Sequence, residues 1–166
     1  MTEAIENNIR RVIVDEQPVN PKYYEKMSRL LDELIAQRKE EALAYQEYMK
    51  RLQTLARQVK HPETSEQYPS ELETSAQRAL YDNVGRDASL ALKLDTAIQI
   101  AREDGWRGNI FKERQIKWAI AQVLRRQGIP DSVLADIRPE YRTNQQKVLI
   151  HAADRIFDIV VEQYEY

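Results

Sequence analysis

A chain of 166 residues has the size of one domain and is long enough to bury a core without metals or crosslinks. It has no cysteine, which excludes disulfides, thiolate zinc sites, iron–sulfur clusters and thiol nucleophiles and fits a reducing, cytoplasmic setting. With 25 Lys and Arg against 27 Asp and Glu, the net charge of −2 exerts no global pull on nucleic acid, and four glycines leave few places for hairpin turns or phosphate loops.

Met1-Thr2-Glu3-Ala4-Ile5-Glu6 has no cationic stretch leading into an apolar core, and no apolar run nears the ~18 residues of a membrane span, so neither export nor membrane insertion is expected. Ile5, Ile9, Val12 and Ile13 form one stripe of a first helix that Pro18 must end. Asn20-Pro21 then opens a second, with Met27, Leu30, Leu31, Leu34 and Ile35 inward. Ala42, Tyr45, Met49, Leu52, Ala56 and Val59 continue at spacings of three and four, the seam of a helix packed at a shallow angle on its neighbour. The stripe lapses between Gln37 and Glu41. Either a tight turn makes an αα-hairpin there or one long helix runs through, since neither Gly nor Pro intervenes.

Residues 61–71, with Pro62 and Pro69 and no periodicity, form the expected loop between N-terminal helices (1–60) and a C-terminal helical lobe (72–166) of what is expected to be one domain overall. Leu72 to Asn83 reads as a short helix around Ala76, Ala79 and Leu80, closed by Gly85. Asp87 caps a helix with Leu90, Leu94, Ala97, Ile98 and Ala101 inward, stopping before Gly105. Asn109 caps the next, with Ile116, Ala119, Ile120, Val123 and Leu124 inward and Gly128 past its end. A single turn through Val133, Leu134 and Ile137 is expected after Pro130-Asp131. A last helix carries Val148, Leu149, Ala152, Ile156, Ile159 and Val160 on one face, ahead of the tail Gln163-Tyr164-Glu165-Tyr166. No alternating β-branched run competes, so the expected fold is all-α, an irregular multi-helix bundle of about six to seven helices with an N-terminal αα-hairpin.

Chemistry is sparse. There is no Gly-x-x-x-x-Gly-Lys-[Ser/Thr] or Gly-x-Gly-x-x-Gly to cradle phosphate, and no Glu-x-Lys or Asp-x-Lys of the kind metal-dependent nucleases use. His61 and His151 lie too far apart in sequence for a His-x-x-x-His metal pair. His151 reads as a packing residue and His61 as a partner of helix-terminal carbonyls. Glu40-Glu41 and Asp15-Glu16 sit in charged, solvated segments, and Tyr45 and Tyr48 on or beside an apolar seam, their rings buried and their hydroxyls wet. No catalytic residue, cofactor or metal site is expected in this chain. One cluster is different: Trp106-Arg107-Gly108-Asn109 leads into Phe111-Lys112-Glu113-Arg114-Gln115-Ile116-Lys117-Trp118, with Arg125-Arg126 behind. Arg107, Lys112, Arg114 and Lys117, with Trp106 and the helix start at Asn109, are candidates for contact with a partner or with DNA phosphates. The competing interpretation is a solvated, ion-paired helix face.

Ile5-Glu6-Asn7-Asn8-Ile9-Arg10 through Val14-Asp15-Glu16, then Pro18-Val19-Asn20-Pro21-Lys22-Tyr23-Tyr24-Glu25-Lys26-Met27, resembles the carboxy-terminal helical region of type I restriction enzyme R subunits. Glu41-Ala42-Leu43-Ala44-Tyr45-Gln46-Glu47-Tyr48, Arg78-Ala79-Leu80-Tyr81-Asp82-Asn83, Trp106-Arg107-Gly108-Asn109 and the Gln163-Tyr164-Glu165-Tyr166 tail extend the resemblance over most of the chain; residues 128–146 carry least of it. The resemblance implies a module that accompanies a nuclease domain and two ATP-driven, RecA-like motor domains in one subunit of an ATP-dependent type I endonuclease. It further implies docking on a methyltransferase core of modification and specificity subunits. No family catalytic residue maps onto this sequence. The rival expectation is a DNA-contacting element in which residues 106–126 guide duplex DNA near the motor; a small freestanding enzyme is the weakest of the three.

Overall fold

The computed structural model describes residues 1–65 and 68–166. Regular structure among them is helical: α1 (Thr2–Glu16), α2 (Pro21–Lys39), α3 (Tyr45–Lys60), α4 (Pro62–Ser65), α5 (Ser75–Asn83), α6 (Ala88–Ala101), α7 (Ile110–Gln127), α8 (Asp131–Ala135) and α9 (Gln145–Val161), with a 3-10 turn at Pro139–Tyr141. The all-α class is as expected. The count among the described residues is nine α-helices, not six to seven; α4, one turn begun by Pro62, occupies part of the expected loop, of which Glu66 and Gln67 lie outside the described residues. The chain divides into two compact units, Met1–Tyr68 and Pro69–Tyr166.

In the first unit α1, α2 and α3 pack pairwise on one another. Ile9 and Ile13 of α1 are buried, with Ile5 and Val12 at the edge of the same core. Asn20 caps α2, its side-chain oxygen accepting from the Tyr23 N–H at 3.4 Å, and Pro21 takes the first turn, where a missing donor costs nothing. Tyr23 and Tyr24 are buried beside Met27, Leu31 and Leu34. Their hydroxyls donate to the Gln58 and Val59 carbonyls at 2.7 and 3.3 Å, satisfying acceptors that the end of α3 leaves open.

Between α2 and α3 the chain turns, resolving the two alternatives in favour of the hairpin. The Ala42 N–H bonds back to Gln37 O and Glu41 N–H to Arg38 O, both at 3.1 Å, with Glu41 in the left-handed region at φ 57°. This is a Schellman ending, and it stops a helix without glycine or proline. Arg38 reinforces it by donating to Leu43 O at 3.2 Å. Ala42 therefore lies outside α3, and the expected seam holds in part: Leu52 and Val59 are buried and Ala56 partly so, but Tyr48 and Leu55 are buried as well, whereas Tyr45 is exposed. The reason is that α3 packs against α1 as well as α2, which turns Tyr48 toward α1, where its hydroxyl donates to the Glu6 carboxylate. Leu31 and Leu52 have no exposed surface, and truncating either to alanine would cost about 2–5 kcal/mol.

In the second unit α7 packs on both α6 and α9, α5 packs on α6 and α9, and α8 lies on α9. α5 begins at Ser75, three residues after Leu72, because Thr74 and Gln77 form a capping box there. It ends through Gly85 at φ 75°, with Arg86 N–H bonding to Tyr81 O at 2.9 Å. Asp87 caps α6 by accepting from Leu90 N–H at 2.9 Å, and Asn109 caps α7 by accepting from Phe111 and Lys112 at 3.1 and 3.2 Å. Leu94, Ile98, Ile116, Ile120, Ala152 and Val160 are wholly buried where these helices meet. Asn144 caps α9 in the same way, and Phe157 adds a ring to the core that the expected stripe did not contain.

Candidate functional site

Trp106 is not a surface ring. It is 2% exposed, meets Phe157 edge-on at 5.9 Å, and its indole N–H donates to the main-chain oxygen of Tyr166 at 2.7 Å. Arg107 lies over the Trp106 ring at 4.4 Å and donates to the carbonyls of Val161, at 3.2 Å, and Gln163. Arg102 reaches the same Tyr166 oxygen at 3.0 Å. The loop between α6 and α7 thus clamps the segment that follows α9.

That segment answers with its own side chains. Tyr166 is buried, and its hydroxyl donates to the Asp95 carboxylate on α6, whose other oxygen accepts from Gln77 at 3.0 Å. Burial, then the bond to Asp95 and its charge, raise the Tyr166 phenol well above the ordinary range. Gln163 is buried and donates to Ile159 O at 3.0 Å, and the Glu165 carboxylate accepts from Ala76 N–H at the start of α5 at 3.2 Å, where a negative charge is favoured.

The remaining candidates are mostly engaged. Asn109 is the α7 cap. Lys112 donates to Asp104 O at 2.6 Å and lies 3.5 Å from Glu103. Lys117 pairs with Asp154 on α9 at 3.3 Å and sits over the Phe157 ring at 4.8 Å. Arg114 alone of the six candidates has no hydrogen bond or ion pair among the described residues, and Arg125 and Arg126 share that condition. The four cations expected to form one edge do not: Arg107 is spent on the tail, and only Arg114 is free.

Beside these cations the same helices expose large apolar side chains. Ile100 is 80% exposed, Phe111 76% and Trp118 67%, and the three rise around a groove of about 730 Å³ between α6 and α7. Ala97, Ala101, Ala119 and Val123, expected in the core, line it half-buried. Arg114 and Arg126 stand on its rim with Glu103, which is neutralised by Lys112. The sequence held a sign of this: Ile100, Phe111 and Trp118 are large apolar residues lying off the inward stripes of their helices. A soluble monomer rarely gathers such residues in one exposed place unless the place is used.

Among the described residues no three His, Cys, Asp or Glu side chains gather where they could hold a metal ion. His151 is half-buried and stacks on Tyr141 at 4.3 Å. His61 does not serve helix carbonyls with its ring, which faces Glu63 at 3.3 Å; its own carbonyl accepts from Thr64 N–H at 3.0 Å within the next turn.

No family model, curated protein or solved structure matches this chain. The described residues define an all-α helical bundle protein, none of whose helices is long and apolar enough to cross a membrane.

Proposed function

We propose that this chain is the non-catalytic, carboxy-terminal helical module of a type I restriction enzyme R subunit, and that it attaches that subunit to the methyltransferase core of modification and specificity subunits. The resemblance of its sequence motivates the assignment, and the observation that carries the attachment role is the exposed Ile100–Phe111–Trp118 face, apolar surface without a covering element among the described residues. On this proposal nuclease and ATPase chemistry belong to the other domains of the R subunit, and the chain acts in the cytoplasm.

The test is capture of the purified core by the chain, with a full-length R subunit as control because its other domains add avidity. Wild-type capture that is lost in Phe111→Ser/Trp118→Ser supports the role. A chain that neither captures the core nor competes with the full subunit does not have it. Charge reversal at Arg107 is a poor probe, because it would unclamp the tail.

A second function is favoured by one observation, that Arg114, Arg125 and Arg126 on α7 have no ion pair among the described residues. On that view these cations guide duplex DNA near the motor, with affinity that falls steeply as salt rises. Absence of duplex binding at low salt removes it.

A further inference from the structure

The groove between α6 and α7 has the form of a seat for a third helix. Its floor is small, made by Ala97, Ala101 and Ala119, and its walls are large, so a ridge of side chains from a neighbouring helix can enter between Ile100 on one side and Phe111 and Trp118 on the other. The opposite face of α7 is already filled, with Ile116, Ile120 and Leu124 buried in the core. α7 therefore has one satisfied face and one open face.

Charge narrows the occupant. Arg114 and Arg126 lie on the open face, about 18 Å apart along the helix at 1.5 Å per residue, one on each side of Trp118. Neither has an ion pair among the described residues, whereas Lys112 and Lys117 nearby are paired with Glu103 and Asp154. A helix lying in the groove would desolvate the two guanidinium groups, so it must bring carboxylates to meet them. A second copy of this face brings four arginines together and is disfavoured by like charge. Nucleic acid needs a continuous cationic track, and the aliphatic floor does not offer one.

We infer that the groove receives an acidic amphipathic helix from a partner protein, with apolar residues at i, i+3 or i+4 and i+7 in the furrow and carboxylates about three turns apart facing Arg114 and Arg126. That the helix belongs to the methyltransferase core rests on the function proposed above; the chemistry of the seat does not.

The full chain is titrated against a fluorescent synthetic helix with a leucine stripe and glutamates at both ends, against its lysine-for-glutamate twin, and against duplex DNA. Saturable binding of the glutamate peptide is expected, weakened about tenfold or more by Arg114→Glu/Arg126→Glu and by Trp118→Ala, with the double variant gaining affinity for the lysine twin. These side chains are exposed, so each variant is expected to melt as the wild type does, and thermal melts check that the fold persists. Equal binding of the two peptides, binding undiminished in the double variant, displacement of the peptide by duplex DNA, or dimerisation that Trp118→Ala abolishes overturns the inference. Core capture separates the two proposals. Capture undiminished by Trp118→Ala overturns the groove as the seat for the core, whereas a wild-type chain that shows the charge swap but ignores the core keeps the seat and removes only the restriction-complex assignment.

Discussion

Trp106 and Tyr166 are joined by one hydrogen bond, indole N–H to main-chain oxygen at 2.7 Å, across 60 residues of sequence. The indole is buried and Arg102 shares the same acceptor, so the contact fixes the tail in a water-poor site. Trp106→Phe keeps most of the packing but loses the donor and is expected to destabilise the second unit by about 1–3 kcal/mol, and Trp106→Ala by about 3–5 kcal/mol. Urea unfolding followed by circular dichroism measures both. Equal stability of wild type and Trp106→Phe would show that the bond contributes nothing.

The groove residues should behave in the opposite way. Phe111→Ser and Trp118→Ser change exposed side chains and are expected to shift stability by no more than about 0.5 kcal/mol, while Ile116→Ala on the buried face of the same helix costs about 2–5 kcal/mol. If Trp118→Ser unfolds the chain, Trp118 holds the fold together and is not a docking residue.

Glu41 holds a left-handed conformation in which its Cβ is strained, and nothing about the turn requires a carboxylate there. Glu41→Gly is expected to stabilise the first unit by about 0.5–1 kcal/mol, read as a raised denaturant midpoint at unchanged slope. A lowered midpoint would mean that the side chain holds the hairpin by a contact of its own.

Alkaline pH should act through three phenols. Tyr24, Tyr48 and Tyr166 are raised above the ordinary range, by burial first in each case, with Glu16 next for Tyr24 and hydrogen bonds to Glu6 and Asp95 next for Tyr48 and Tyr166. Each holds its proton more tightly in the fold than in the unfolded chain, so its contribution is complete below about pH 10 and is lost as pH rises through the folded value. Stability should therefore fall above about pH 10, with a shallower fall in Tyr166→Phe, measured by urea melts alongside tyrosinate absorbance. A single titration of all nine tyrosines in the ordinary range would contradict this.

The helices were legible where punctuation was local. Asn20-Pro21, Asp87, Asn109 and Gly85 each act within three or four residues of themselves, and each does what its neighbours imply. Legibility failed where a second surface decided the outcome. The phase of α3 depends on α1, and the half-burial of Ala97 and Ala119 depends on what does not cover them; neither is a property of a periodic stripe. The cluster around Trp106 stands out in the sequence, but its work is not legible there, because its partners Asp154, Phe157 and Tyr166 come from a distant part of the chain.

The tail also bears on the order of events during synthesis. Glu165 bonds to Ala76, 89 residues earlier, and Tyr166 to Asp95, 71 earlier, so two of the ties on the opening helices of the second unit wait for residues translated well after those helices. The hairpin of the first unit, closed by contacts within about 40 residues, has no such wait. The first unit can thus close while the second is still unlatched, its Asp95 held by Gln77 alone until Tyr166 has been made.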